Sequence, residues 1–453
     1  MNTPAPTHIK MVDVRPGEWG KALAMSGFLF LVISVFWIVK PIKRSMILGY
    51  YAERPLRFLD WSWVGAEVEQ LAKVVNVFVA LAAVALFTIA VRRFRRATVV
   101  YVCCVVFSLG FAAFGLAVDD PSGPLVFSFY SFGDLFNTVM VALFWAFMND
   151  LVEPEQAKRL YGIVGLGGVL GGLFGSTIVR GTIEDVGRSG LLASCMVPLF
   201  VVSIAAWWAD RIAHERFGRE GHPLEAKHSS PLLEGARMVN GSHYLTGIAV
   251  TILLYEIVSN VIDFQLSATV QQTISDDTER DAFFAFIGQM TGGVSVFVQL
   301  VLTSYIMRRF GVGAALMFLP VTLLAGSLGF LAVSTLAFAT MMSATDNALN
   351  YSINQSAKEA LYVPTSRDEK YKAKAFIDMF VQRSAKLFAV GLNLLFAAFV
   401  GLASVRWLSI GTILALGGWI PLARYLGRRF EDRAAKRREA QTSAATPAAA
   451  RDG

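Results

Sequence analysis

Runs of about twenty mostly apolar residues alternate with short clusters of Arg, Lys, Asp and Glu along nearly the whole chain, which is the pattern of repeated membrane spans. The runs fall at 19–39, 68–91, 97–117, 125–148, 161–180, 190–209, 243–264, 282–306, 311–334, 335–354, 373–399 and 405–425. Each is about twice as long as a barrel strand and lacks its in–out alternation, so the spans are helices. The pattern predicts an all-α membrane protein with twelve transmembrane helices. The runs at 335–354 and 373–399 both contain ionisable groups.

The one long internal connection, 210–242, divides the spans six and six. It opens with Asp210, Arg211, His214, Glu215 and Arg216 and continues as a polar stretch rich in Gly, Pro, Ser and His, which predicts a surface helix followed by a linker. The expected organisation is therefore a tail at 1–18, a six-helix bundle at 19–209, the central loop at 210–242, a second six-helix bundle at 243–425 and a basic, partly disordered tail at 426–453. This is a major facilitator-like layout, whose two bundles rock in alternation. Residues 1–18 read as an ordinary cytoplasmic tail and not a cleavable signal.

Composition agrees with the spans: hydrophobic residues make up 55% and charged residues only 17%, against about a quarter in soluble proteins. The net charge of +7 resolves once it is mapped onto the topology. With the N-terminus inside, the cytoplasmic segments collect Arg92, Arg93, Arg95, Arg96, Lys158, Arg159, Arg211, Arg216, Arg308, Arg309 and the basic residues after 427. The opposite side carries Asp119–Asp120, Glu184–Asp185 and the acids of 276–281, with 40–67 as its basic exception. The excess of Arg and Lys is a topology signal that places both termini in the cytoplasm of a bacterial inner-membrane protein, and no nucleic-acid partner is called for. Cys103, Cys104 and Cys195 lie within spans and read as small apolar fillers.

Polar groups within the spans mark the candidate chemistry, because each is costly in lipid unless it faces a cavity or a partner. Lys40, Lys43 and Arg44 crowd the end of span one around Pro41. Span four holds Asp134 and Asn137, and span seven holds Glu256, Asn260 and Asp263 on roughly one helical face. Spans ten and eleven add Asp346, Asn347, Asn350, Lys374, Asp378, Arg383 and Lys386; Lys374, Asp378 and Gln382 share a stripe at helical spacing. Cations with acids to pair them suit an anionic cargo. We assign Lys43, Lys374, Asp134, Asn137, Asn260, Asp346 and Asn350 to substrate binding. Lys40, Arg44, Glu256, Asp263, Asp378, Arg383 and Lys386 are assigned to gating or coupling. No His lies deep in a span, so neither a His relay nor a metal site is expected, and no cofactor is. No catalytic triad, metal cluster or nucleotide-hydrolysing loop is visible, and an enzyme is not the expectation. The glycines of span five, Gly162, Gly165, Gly167, Gly168, Gly171, Gly172 and Gly175, predict close helix packing, or a helix that slides and bends.

Four segments resemble the nucleotide transporters of the ATP/ADP translocase type. They are VKPIKRSMILGYYAE (39–53), LFWAFMNDLVEPEQAKRLYGIVGLGG (143–168), YEIVSNVIDFQ (255–265) and NYSINQSAKEALYVPTSRDEKYKAKAFIDMFVQRSAK (350–386). The resemblance implies an exchanger with ATP and ADP as cargo, or a related carrier of nucleotides with an altered base or charge preference; a monomer in the lipid bilayer is expected. It places the family's cations on Lys43 and on Lys374 or Lys372, and its acids on Asp263 and Asp134. There are departures: Arg44 follows Lys43 where the family has an acid, both acids are Asp instead of Glu, Glu256 is additional, and Leu387 and Phe388 replace glycines. Two alternatives therefore stand beside nucleotide exchange: a carrier of another anionic metabolite, and a non-transporting scaffold or lipid-handling membrane protein. A Lys43–Asp263 contact is the expected outer gate.

Overall fold

The computed structural model describes residues 18–58, 61–94, 96–151, 154–217, 231–366 and 369–445. The ends of the chain and the middle of the central loop, 218–230, lie outside the described residues. The first half contains α1 (Trp19–Glu53), a small antiparallel hairpin of β1 (Leu56–Phe58) and β2 (Trp61–Trp63), α2 (Gly65–Arg93), α3 (Arg96–Ala117), α4 (Gly123–Leu151), α5 (Pro154–Ser194) and α6 (Met196–Phe217). After the central loop come α7 (Pro231–Asn240), α8 (His243–Thr273), α9 (Asp277–Phe297), α10 (Ser304–Ala332), α11 (Leu336–Leu349), α12 (Gln355–Leu361), the short α13 (Lys374–Phe376), α14 (Gln382–Val400) and α15 (Leu408–Ala445). Ten helical stretches among the described residues are long and apolar enough to cross a membrane.

Glycine geometry connects these ten stretches to the twelve spans. The stretch 164–207 covers spans five and six, and α5 breaks within it at Gly187, whose φ of 66° lies in the left-handed region. α10 breaks likewise at Gly311, φ 80°, between spans eight and nine. Span ten is split into α11, a π-helical stretch at Asn350–Asn354 and α12, so no single regular piece of it is long. The molecule is a multi-pass, all-α membrane protein of twelve apolar segments.

Helix ends follow local chemistry. Asp276 caps α9 by accepting a hydrogen bond from the Glu279 amide at 2.7 Å, and Ser242 caps α8 through Leu245. Two boundaries differ from expectation. α1 runs through Pro41 to Glu53, with Pro41–Gly49 buried throughout, so the basic exception at 40–67 starts as a buried helix and not as a loop. Proline here gives up one backbone bond but keeps a helical φ. α15 continues to Ala445, so 431–445, expected to be irregular, is helical; its Arg-, Glu- and Ala-rich composition favours helix. In the central loop, α6 extends to Phe217 and the described helix, α7, sits at the far end.

The chain forms two compact units. One comprises Met1–Ser45, Phe78–Pro223 and Asp281–Gln289; the other comprises Met46–Val77, Leu224–Arg280 and Met290–Gly453. In the first, the span-five glycines lie directly on α1. A Cβ added to Gly167, Gly171 or Gly175 would sit 2.4, 2.4 or 2.3 Å from the carbonyl oxygens of Ser26, Phe30 and Ser34. That is the close backbone approach that small residues permit between membrane helices. Gly168 and Gly172 meet Leu29 and Trp37 of the same helix. In the second unit α8 is the centre, packed by α11, α14 and α15 and buried along most of its length.

Candidate functional site

In the first unit, α1 delivers a buried lysine to α4. Lys43 is 4% exposed, and its ammonium pairs with the Asp134 carboxylate and stands 4.2 Å from the centre of the Tyr130 ring. Tyr130 and Asp134 are four residues apart, so one face of α4 supplies both the ring and the counter-charge. Gly133 leaves room for the stem, since a Cβ there would lie 2.9 Å from Lys43 Cδ. Asn137 is half-buried on the same helix. Lys40 sits over Trp37, 4.2 Å from the ring centre, and Arg44 lies 4.8 Å from that of Phe284. Cations held over rings are stabilised without a full negative charge. Arg188 makes a forked contact with Asp281, Nε to Oδ2 at 2.7 Å and a terminal nitrogen to Oδ1 at 3.3 Å, and also reaches Ser45.

In the second unit the polar face of α8 anchors a longer network. Asp263 accepts from Lys73 of α2 at 2.6 Å, and Lys73 lies 3.5 Å from Glu69, one turn earlier on α2. Glu69 in turn accepts from Ser267. Glu256 accepts from Gln382 at 2.7 Å, and the Asn260 amide donates to the Glu256 carbonyl. Asn393 joins Gln70 to the Asn260 carbonyl, at 3.2 and 3.3 Å. Asp346 is 2% exposed and accepts a 2.5 Å bond from Ser259. Asn350 accepts from Lys358 at 3.4 Å, and that ammonium also stands 5.0 Å from the Tyr255 ring centre.

Of the residues proposed from sequence, Asn260, Glu256, Asp263, Asp346 and Asn350 thus lie in polar contacts on or beside α8. The three residues of the Lys374–Asp378–Gln382 stripe meet different surroundings. Lys374 forms an exposed pair with both oxygens of Glu359 at 2.7 Å, Asp378 is exposed, and Gln382 alone reaches Glu256. Glu369–Ala373 and Ile377–Val381 are π-helical, with wider i→i+5 turns than the regular helix expected there. Arg383 and Lys386 are half-buried on α14, and the network's hydrogen bonds among the described residues do not reach them.

Lys73, Glu69, Gln70, Arg188 and Asn393 were missed from sequence. The signal for the first two was present: a Glu and a Lys four apart where a span begins, a spacing that puts both on one face. Arg188 follows Glu184 and Asp185 in the same connection, next to the Gly187 break.

Residues 125–346 match the model of a family described as the TLC ATP/ADP transporter. Among curated relatives, "ADP,ATP carrier protein 1" of Chlamydia muridarum is 27% identical over 297 residues, covering 57% of this chain and 56% of that protein. Its namesake in Chlamydia trachomatis is 26% identical over 360 residues, covering 70% and 68%. The chloroplastic "ADP,ATP carrier protein 1" of Arabidopsis thaliana is 23% identical over 364 residues, covering 72% and 58%. The chain thus spans little more than half the length of the first relative. Among solved structures, the nucleoside transporter NupG superposes with a TM-score of 0.61 at 10% identity, covering 88% of this chain and 98% of that one. The inward-open xylose transporter XylE from E. coli gives 0.57 at 12% identity, covering 88% and 94%. These likenesses establish a major facilitator-type fold, and over residues 125–346 the chain is similar to the TLC ATP/ADP transporter family.

Proposed function

We propose that the protein is a secondary transporter that exchanges adenine nucleotides, ATP against ADP, by alternating access. The observation that carries the reading is the buried Lys43–Asp134 pair against Tyr130. A lysine buried beside a carboxylate can trade that partner for a phosphate oxygen without being left uncompensated, and an aromatic ring beside it offers a face to a base. The names of the relatives, all ADP,ATP carriers, support the same cargo. The nucleotide is moved intact, so no hydrolysing residue is required.

The reading places the chain in a bacterial inner membrane with both termini in the cytoplasm, supported by the distribution of Arg and Lys across its connections. Arg44 favours a second reading, in which the cargo is another anionic metabolite. It adds a buried cation directly after Lys43, where the family carries an acid, and so suits a cargo of different charge.

Uptake of a labelled panel into proteoliposomes tests both readings: ATP, ADP, GTP, CTP and simple di- and tricarboxylates. Adenine nucleotides should be taken up in preference to the rest. Preference for a carboxylate supports the second reading, and a purified, folded protein that moves none of them contradicts transport.

A further inference from the structure

α15 is 38 residues long, about 57 Å at helical rise, whereas a bilayer's hydrocarbon core is about 30 Å thick. Its last third therefore continues past its apolar stretch, and there its sequence becomes strongly basic. Arg429, Arg433 and Lys436 recur at spacings of four and three and so share one face of the helix. Opposite them stand the residues that open α8. Between the two lies a cleft of about 630 Å³, a volume in the range of small-molecule sites.

The cations in this cleft are held in position but not neutralised. Arg433 lies 4.4 Å from the Tyr244 ring centre and donates to the Ser242 hydroxyl at 3.4 Å. Arg429 lies 5.5 Å from the ring centre of Tyr425, one turn earlier. Contact with a ring face holds each guanidinium group while leaving N–H donors for another partner. Among the described residues, none of Arg429, Arg433 and Lys436 forms an ion pair with a carboxylate, although Asp432 and Glu439 also line the cleft. Three cations against two acids leave a net positive site, and His243 stands on the same wall. The amino end of α8 adds its partial positive charge from that side. None of these residues takes part in the lysine–aspartate networks described above.

We propose that this cleft binds a phosphate-bearing anion, held by the two guanidinium groups and Lys436, at a site separate from the transported cargo. An anionic lipid headgroup and a free phosphate compound share this chemistry. The place of the cleft, where α15 leaves its apolar stretch, brings a headgroup within reach.

The test uses the purified full-length protein in neutral detergent, with two arms. Native mass spectrometry measures retention of dioleoylphosphatidylglycerol against dioleoylphosphatidylcholine, and equilibrium dialysis measures binding of radiolabelled inorganic phosphate. The comparison variant is Arg429→Gln/Arg433→Gln/Lys436→Gln, with folding checked by its melting curve. The proposal predicts that one of the two anions binds at least ten-fold more weakly to this variant, while phosphatidylcholine is unaffected. Loss of phosphatidylglycerol alone identifies a lipid site, and loss of phosphate identifies a soluble-anion site. The charge-preserving Arg429→Lys/Arg433→Lys should retain much of the binding. If the triple variant does not fold, Arg433→Gln alone should weaken binding at least three-fold. Equal binding of both anions to the parent and the folded variant overturns the proposal.

Discussion

The ammonium of Lys73 lies 2.6 Å from Asp263 and 3.5 Å from Glu69, so one buried cation holds two carboxylates that come from different helices. Removing different members of this triad has unequal consequences. Asp263→Asn leaves the Lys73–Glu69 pair and an amide that can still accept a hydrogen bond, a cost of about 1–2 kcal/mol. Lys73→Ala takes the bridging ammonium from both acids at once, and breaking a buried pair in this way costs about 3–5 kcal/mol. In thermal unfolding of the detergent-solubilised protein, Lys73→Ala should therefore melt well below Asp263→Asn. Equal melting temperatures would show that Lys73 does not bridge the two.

The contact of α5 with α1 predicts a steric rule. Gly171→Ala should destabilise the protein by about 1–3 kcal/mol, because its Cβ would sit against the Phe30 carbonyl, and backbone cannot move aside as a flexible side chain can. Gly181→Ala, on the same helix with nothing within 4 Å, should be neutral or slightly stabilising. Melting curves of the two variants decide it; similar losses at both positions would mean that helix propensity, and not packing, governs α5.

What the sequence made legible was set by the range of the interactions. Spans are local properties of composition, so α3 and α4 lie within a few residues of the expected runs. The polar residues of α8 were equally visible, because Glu256, Asn260 and Asp263 stand out in an apolar helix. Their partners were not, since nothing in the local pattern says that Lys73, 190 residues earlier, meets Asp263. The π-helical stretches near Lys374 and Asp378 were hidden for a related reason: they keep helical composition while changing the angle per residue. Lys43 and Asp134 were each singled out, yet Lys43 was matched to Asp263, because sequence ranks residues by depth and charge and does not supply pairing.

Two lysines of spans ten and eleven stand in different surroundings. Lys358 contacts Asn350 and the Tyr255 ring within the α8 network, whereas Lys374 pairs with Glu359 at an exposed position. Exposed pairs contribute about 0–1 kcal/mol. Lys358→Ala should thus reduce substrate uptake at least five-fold, and Lys374→Ala less than two-fold, at matched protein levels in proteoliposomes. The opposite order would return Lys374 to the binding site.

The proposed orientation is checked by labelling single cysteines in a chain whose Cys103, Cys104 and Cys195 have been replaced. Cysteines at Ser122 and Thr278 should react with an impermeant reagent in intact cells, and one at Ser229 only after lysis. Thr278 is preferred to its neighbour Asp277, whose carboxylate holds Arg280 at 2.7 Å. Reaction of all three from outside would invert or break the arrangement.

The most direct test of the central claim is nucleotide counterflow. Proteoliposomes loaded with ADP should take up external labelled ATP at least ten-fold faster than empty ones, because exchange requires a nucleotide on each side to return the carrier. Lys43→Ala should abolish most of this stimulation while the protein remains folded, since under the proposal its buried ammonium passes from Asp134 to phosphate. ATP uptake that is indifferent to internal ADP, or full counterflow by the Lys43→Ala variant, would contradict the account.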